Sequence, residues 1–161
     1  MKKQRTLFIT KAALIAALYV TLTFLSASMN LALGPVQLRL SEALCILPVF
    51  TSAAIPGLFI GCVLGNLLSR AIVLDVIFGS LATLLGAVGT YLLRKRPLLS
   101  LIPPIAANTL IVPFVIYFAY GDRTLPLGLL LLSVFLGETL SAGGLGVFLK
   151  KSLSPHRERL K

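Results

Sequence analysis

Glu138 lies in the middle of an apolar run, residues 125–149, that contains no other charged side chain. An ionisable group at the centre of a bilayer costs about 2.5–3.5 kcal/mol on insertion scales, so it faces a partner or a wet cavity. Asn66 and Asn108 fall midway along two further apolar runs, residues 56–74 and 99–120. At 1.5 Å of rise per residue, all three would stand roughly 14–20 Å from their helix ends. Three polar groups at one depth on three helices could line a single pocket for a small polar solute. Their alternative role is to fasten helices to one another by hydrogen bonds.

Nearer one face come Arg39, Glu42, Arg70 and Asp75. They could form two salt bridges, Arg39 with Glu42 and Arg70 with Asp75, or a charged rim to the same pocket. Phe50, Phe78, Tyr91, Tyr117 and Tyr120 offer rings for stacking, although most such rings pack or face lipid. In the first run, Ala12, Ala13, Ala16 and Ala17 make two overlapping pairs of small residues four apart. Such pairs let another helix approach closely, either within the chain or from a partner. Gly57, Gly61 and Gly65 form a similar ladder in the third run.

Catalytic signatures do not appear. The single histidine, His156, is in a basic tail, and there is no HExxH, GxSxG or phosphate-cradling glycine loop with Lys-Ser/Thr. Cys45 and Cys62 sit in apolar segments without CxxC or Cys/His spacing, which points to no metal and no disulfide framework. Without a nucleotide site, the chain could not itself couple ATP hydrolysis to work.

The elements that would hold these residues follow from composition. The chain has 161 residues, of which 57% are hydrophobic and 12% charged. Soluble domains carry about twice that charged fraction. We expect an all-α membrane protein, a bundle of about six transmembrane helices forming one domain over residues 1–161. The expected helices span residues 7–27, 41–54, 56–74, 75–93, 99–120 and 125–149. The second is unusually short and the fifth carries Pro103, Pro104 and Pro113. Gly34-Pro35 breaks the chain before the alternating stretch VQLRLSE, read as strand-like or interfacial. The first apolar run is too long for an ordinary signal peptide and is read as a retained helix.

Net charge of +10 would suit a nucleic-acid binder, but its distribution follows the positive-inside rule. With six helices and the N-terminus inside, all fifteen Lys and Arg except Arg39, Arg70 and Arg123 fall on the cytoplasmic side. The C-terminus is then cytoplasmic too.

Two stretches carry a family resemblance: VQLRLSEALCILPVFTSAAIPGLFIGCVLGNLL, residues 36–68, and DVIFGSLATLLGA, residues 75–87. They resemble the QueT family, substrate-specific S components of energy-coupling-factor transporters. The resemblance implies a six-helix subunit that binds a vitamin-like solute near the outer face, here queuosine or a 7-deazaguanine precursor of it. It also implies docking through the helix 1 alanine face onto an EcfT-like transmembrane coupling protein bound to two ATPase subunits. No cofactor of its own is expected, since ATP would be used by those partners. Arg39, Glu42, Asn66 and Asp75 lie within the two stretches. Arg70, Asn108 and Glu138 rest on the depth argument. A guanine-like edge has two adjacent N–H donors and a carbonyl; a carboxylate could take the first and an asparagine amide the rest, as they could for another small polar heterocycle. Competing readings are a self-sufficient carrier with Glu138 as proton site and a small enzyme acting on lipid.

Overall fold

The structure is a computed structural model. It describes residues 2–31, 38–96, 99–121 and 123–156. The Gly34-Pro35 break, the start of the alternating stretch and Asp122 lie outside the described residues. Leu38 and Arg39 are in irregular structure, and a helix begins at Leu40.

Among the described residues every regular element is a helix. The chain contains α1 (Lys2–Ser28), a 3₁₀ helix (Leu40–Val49), α2 (Ala54–Leu68) and α3 (Val73–Leu92). Then come α4 (Ile102–Phe114), α5 (Leu127–Glu138) and α6 (Gly146–Leu153). A short 3₁₀ turn, Leu99–Leu101, leads into α4, and a π-helical segment, Val115–Ala119, continues it. A second π segment, Thr139–Leu145, joins α5 to α6 in one rod. Four rods are long and apolar enough to cross a bilayer: Lys2–Ser28, Val73–Leu92, Leu99–Ala119 and Leu127–Leu153. Two apolar helices are shorter, Leu40–Val49 and Ala54–Leu68. The protein is therefore a multi-pass helical membrane bundle, with apolar side chains such as Ile9, Val73, Leu110, Phe118 and Phe148 on its outside.

Packing explains the two short elements. The 3₁₀ helix is apolar on nearly every side and buries Ala43, Leu44, Cys45, Ile46, Pro48 and Val49. It contacts α1, α2, α3, α6 and the second π segment, so it is a central plug within the bundle. At ~2.0 Å per residue its ten residues reach only ~20 Å. The glycine ladder of α2 faces α1: a Cβ at Gly57 would lie 2.8 Å from the Ala12 carbonyl, and one at Gly61 would lie 2.7 Å from the Tyr19 Cβ. Gly86 and Gly89 of α3 likewise meet Pro104 and Pro103 of α4. These glycines let backbones approach where a side chain would hold them apart.

The expected third helix, residues 56–74, ends early. Arg70 has φ 56, in the left-handed region. Its N–H bonds to the Leu67 carbonyl, and the Ala71 N–H bonds to the Asn66 carbonyl at 3.0 Å. That pair of bonds is the Schellman closure of a helix. Asn66 consequently lies in the last turn of α2 and not midway along a span. The depth argument is corrected for this residue.

Candidate functional site

The interior polar groups gather around Glu42, which the central 3₁₀ helix carries with 1% of its surface exposed. Three elements send donors to its carboxylate. The Tyr19 hydroxyl of α1 donates to Oε1. The Cys45 thiol, one turn along the 3₁₀ helix, donates to Oε2 at 3.1 Å. Asn108 Nδ2, from α4, donates to the same oxygen at 3.0 Å. A 3₁₀ helix has three residues per turn, so positions 42 and 45 lie one above the other. In an α-helix the same positions would be offset by about 60° around the axis.

Glu138, the last residue of α5, is also buried. Its carboxylate hydrogen-bonds the Asn108 side chain and lies in the field of Glu42. Its Oε2 has no partner. Asn108 is about 14 Å along the Leu99–Ala119 rod, and Glu138 about 16 Å along the Leu127–Leu153 rod. Each therefore stands near the middle of its rod. Buried hydroxyls without partners are Ser41 of the 3₁₀ helix, Ser80 of α3, Thr109 of α4 and Ser141 of the second π segment. Glu42 is tied off by the protein; Glu138 is tied off on one side only.

A second polar group forms where α2 ends and α3 begins. Asn66 Nδ2 donates to the Asp75 carbonyl at 3.3 Å and to the Cys62 sulfur at 3.7 Å. Thr83 of α3 also donates to Cys62, at 3.4 Å. The Asp75 carboxylate accepts the Tyr120 hydroxyl at 2.9 Å. Partial burial, and then Asp75, raise the Tyr120 pKa above its ordinary value and keep it a donor. Gly79 leaves room for this arrangement, because a Cβ there would lie 3.2 Å from both Asn66 Nδ2 and Asp75 Oδ1.

Arg39 lies in the field of both groups. Burial opposes its charge, but Asp75 most strongly, with Glu42 also contributing, holds its pKa above the ordinary arginine value. The neighbouring backbone is fixed by Ser26 Oγ, which accepts the Leu40 N–H at 2.9 Å. Of the two carboxylates, Asp75 weighs more on Arg39 than Glu42 does. Among the described residues no ion pair joins Arg70 to Asp75, and Arg70 is exposed at its turn.

The four alanines divide. Ala12 and Ala16 are buried, against the glycines of α2. Ala13 and Ala17 are exposed. Of the expected aromatic rings, Phe50 is core, Tyr91 lies under the Arg94 guanidinium at 4.0 Å, and Tyr117 stacks edge-on with Phe118. Phe78 lines an apolar cavity of about 400 Å³ with Leu74, Leu110, Phe114 and Phe118. That cavity is lined by none of the expected polar residues.

Sequence reasoning missed Tyr19 and the Cys45 thiol as members of the site. Tyr19 was one hydroxyl among several in α1, beside Thr10, Thr21, Thr23 and Ser26, so its type alone did not single it out. Cys45 gave no signal without the 3₁₀ geometry.

A family model described as the QueT transporter matches residues 9–155. The curated protein "Queuosine precursor transporter QueT" of Lactococcus lactis subsp. cremoris (strain MG1363) is 43% identical over 84 residues. The match covers 52% of this chain and 49% of that protein, so the chain spans about half the length of the curated relative it matches. No solved structure matches.

Proposed function

The chain belongs to the QueT transporter family, and on that premise we propose that it captures queuosine or a 7-deazaguanine precursor outside the cell and delivers it inward. It would act as the S component of an energy-coupling-factor transporter in the bacterial cytoplasmic membrane, crossing it six times with both termini inside. An EcfT-like coupling protein and two ATPase subunits would supply the work. The observation that carries the reading is the Glu42–Asn108–Glu138 cluster: buried at mid-depth, drawn from three elements, and left with an open carboxylate oxygen.

The chemistry fits the solute class. Asn108 and Glu138 offer an amide and a free acceptor side by side, which suits a heterocycle edge with adjacent N–H groups. A buried acceptor of this kind rejects analogues that lack the donor, because the acceptor is then left unpaired. Asn66, Asp75, Arg39 and Tyr120 would form the entry side of the site; Arg70 would contribute to the end of α2 and not to the ligand. Binding, not bond-making, is the proposed activity.

The direct test is mass spectrometry of small molecules that co-purify with the detergent-solubilised chain. A deazaguanine is expected. A thiamine- or riboflavin-like compound in its place would overturn the substrate assignment. Two neighbouring buried carboxylates favour a second reading, a carrier driven by a proton gradient. Uptake into proteoliposomes holding this chain alone, abolished when the gradient is dissipated, would establish that reading and exclude dependence on ATPase partners.

A further inference from the structure

Away from the carboxylate cluster, a cavity of about 290 Å³ lies where the central 3₁₀ helix hands over to α2 and where α3 ends. Its walls are the end of the 3₁₀ helix at Pro48–Phe50, the hydroxyl residues Thr51 and Ser52, and Tyr91 with Arg94. Arg94 is partly buried and held in place twice. Its guanidinium lies 4.0 Å from the centre of the Tyr91 ring, and Nη1 donates to the Tyr91 carbonyl at 3.0 Å. A guanidinium carries five N–H donors, so most remain for a ligand. None of the three described carboxylates, Glu42, Asp75 and Glu138, lines the cavity. A positioned guanidinium with hydroxyls in the same cavity, and no carboxylate there to neutralise it, suits an anion with several oxygens. The guanidinium fork matches phosphate oxygens, and a phosphate has further oxygens for the two hydroxyls.

The surroundings point to a lipid as the source of that phosphate. Leu85, Val88 and Leu92 of α3 are all exposed. Positions three and four apart share one face of a helix, so they form an apolar stripe that stops two residues short of Arg94. Lys95 and Arg96 follow, both exposed. An acyl chain lying on the stripe brings its headgroup to the level of the cavity. We propose that the cavity holds the phosphate of an anionic phospholipid, with Arg94 as the charged donor and the Thr51 and Ser52 hydroxyls as neutral ones. A zwitterionic lipid brings a cation to a run of three cations and is disfavoured. A free phosphate ester presents the same oxygens but gains nothing from the stripe. In the orientation proposed above, the bound lipid belongs to the cytoplasmic leaflet. The site shares no residue with the carboxylate cluster, so it stands or falls apart from the identity of the transported solute.

The test uses the full chain in non-ionic detergent at about 0.15 M salt, where exposed charges are largely screened. Phosphatidylglycerol and phosphatidylcholine with the same acyl chains are titrated separately, and lipid adducts are counted by native mass spectrometry. One phosphatidylglycerol should bind per chain, ~10-fold or more tightly than phosphatidylcholine. Arg94→Gln should weaken it ~10-fold or more, and Thr51→Val with Ser52→Ala ~3-fold or more. Lys95→Gln removes the same charge from an exposed neighbour and should change it less than ~3-fold. If Arg94→Gln does not fold, Arg94→Lys keeps the charge, loses the fork, and should still weaken binding ~3-fold or more. Equal weakening by the Arg94 and Lys95 variants would show a diffuse basic surface and overturn the proposal. Equal binding of the two lipids, or no saturable binding of either, would overturn it as well. Displacement of phosphatidylglycerol by an equal concentration of glycerol 3-phosphate would overturn the lipid as the source of the phosphate.

Discussion

Two glutamates of similar burial, Glu42 and Glu138, are held differently by what surrounds each. Glu42 receives a hydroxyl, a thiol and an amide. Removing it strands three buried donors, and each stranded group costs about 1–3 kcal/mol. Glu42→Ala should therefore lower stability by roughly 3 kcal/mol or more, read as a large fall in the midpoint of thermal unfolding in detergent. Glu138→Gln should leave that midpoint nearly unchanged, because its Oε2 has no protein partner to lose, while weakening ligand binding at least ~10-fold. Equal losses of stability in the two variants would mean that Glu138 fastens the bundle and is no ligand acceptor. The contrast was only half legible in the sequence. A lone carboxylate in an apolar run announces Glu138. Nothing in the spacing of Tyr19 and Asn108, which are far from residue 42 along the chain, announces that both converge on Glu42.

At the scale of elements, the site depends on how closely α1 and α2 approach. Tyr19 reaches Glu42 from α1, and its Cβ lies against Gly61 of α2. Gly61→Val would place a Cβ 2.7 Å from that atom, so the helices must separate or Tyr19 must turn. Overpacking of this kind costs about 1–3 kcal/mol. Gly61→Val should lower the thermal midpoint and also weaken binding, since it displaces a donor of Glu42. Retained binding would show that Tyr19 is dispensable. At the other end of α2, Arg70 occupies a left-handed position that costs an L-residue about 1–2 kcal/mol and glycine almost nothing. Arg70→Gly should raise stability by roughly 1 kcal/mol and leave affinity unchanged, whereas a loss of affinity would return Arg70 to the ligand site. The same turn shows why part of the architecture was hidden. Long rods announce themselves by unbroken hydrophobic runs, and four of them were legible within a few residues. The end of α2 carries arginine where glycine would have signalled a stop, so the apolar run appeared to continue and Asn66 appeared to be central. The segment 40–49 was legible as short and apolar, but its 3₁₀ winding, and with it the stacking of Cys45 on Glu42, comes from packing on all sides and leaves no period in the sequence.

For the whole molecule, the question is which face of the bundle remains for a partner. The alanine face of α1 was expected to serve docking, but half of it is already used. Ala12 and Ala16 lie against Gly57 and Gly61, with the Ala12 carbonyl 2.8 Å and the Ala16 carbonyl 3.0 Å from where the Cβ atoms would be. Ala13 and Ala17 point outward beside the exposed Leu14 and Leu18, so any helix that docks here must meet this second pair. The two pairs should separate folding from coupling. Ala12→Leu or Ala16→Leu should disrupt the α1–α2 contact and cost about 1–3 kcal/mol by overpacking, lowering binding and uptake together. Ala13→Trp with Ala17→Trp should leave the thermal midpoint and ligand affinity of the purified chain intact, because those side chains project away from the core. In cells that supply the ATPase module, the same double variant should lose uptake. Intact uptake with intact binding would move the docking face off α1, and loss of binding in the purified double variant would show that this surface supports the site and is not a place for a partner.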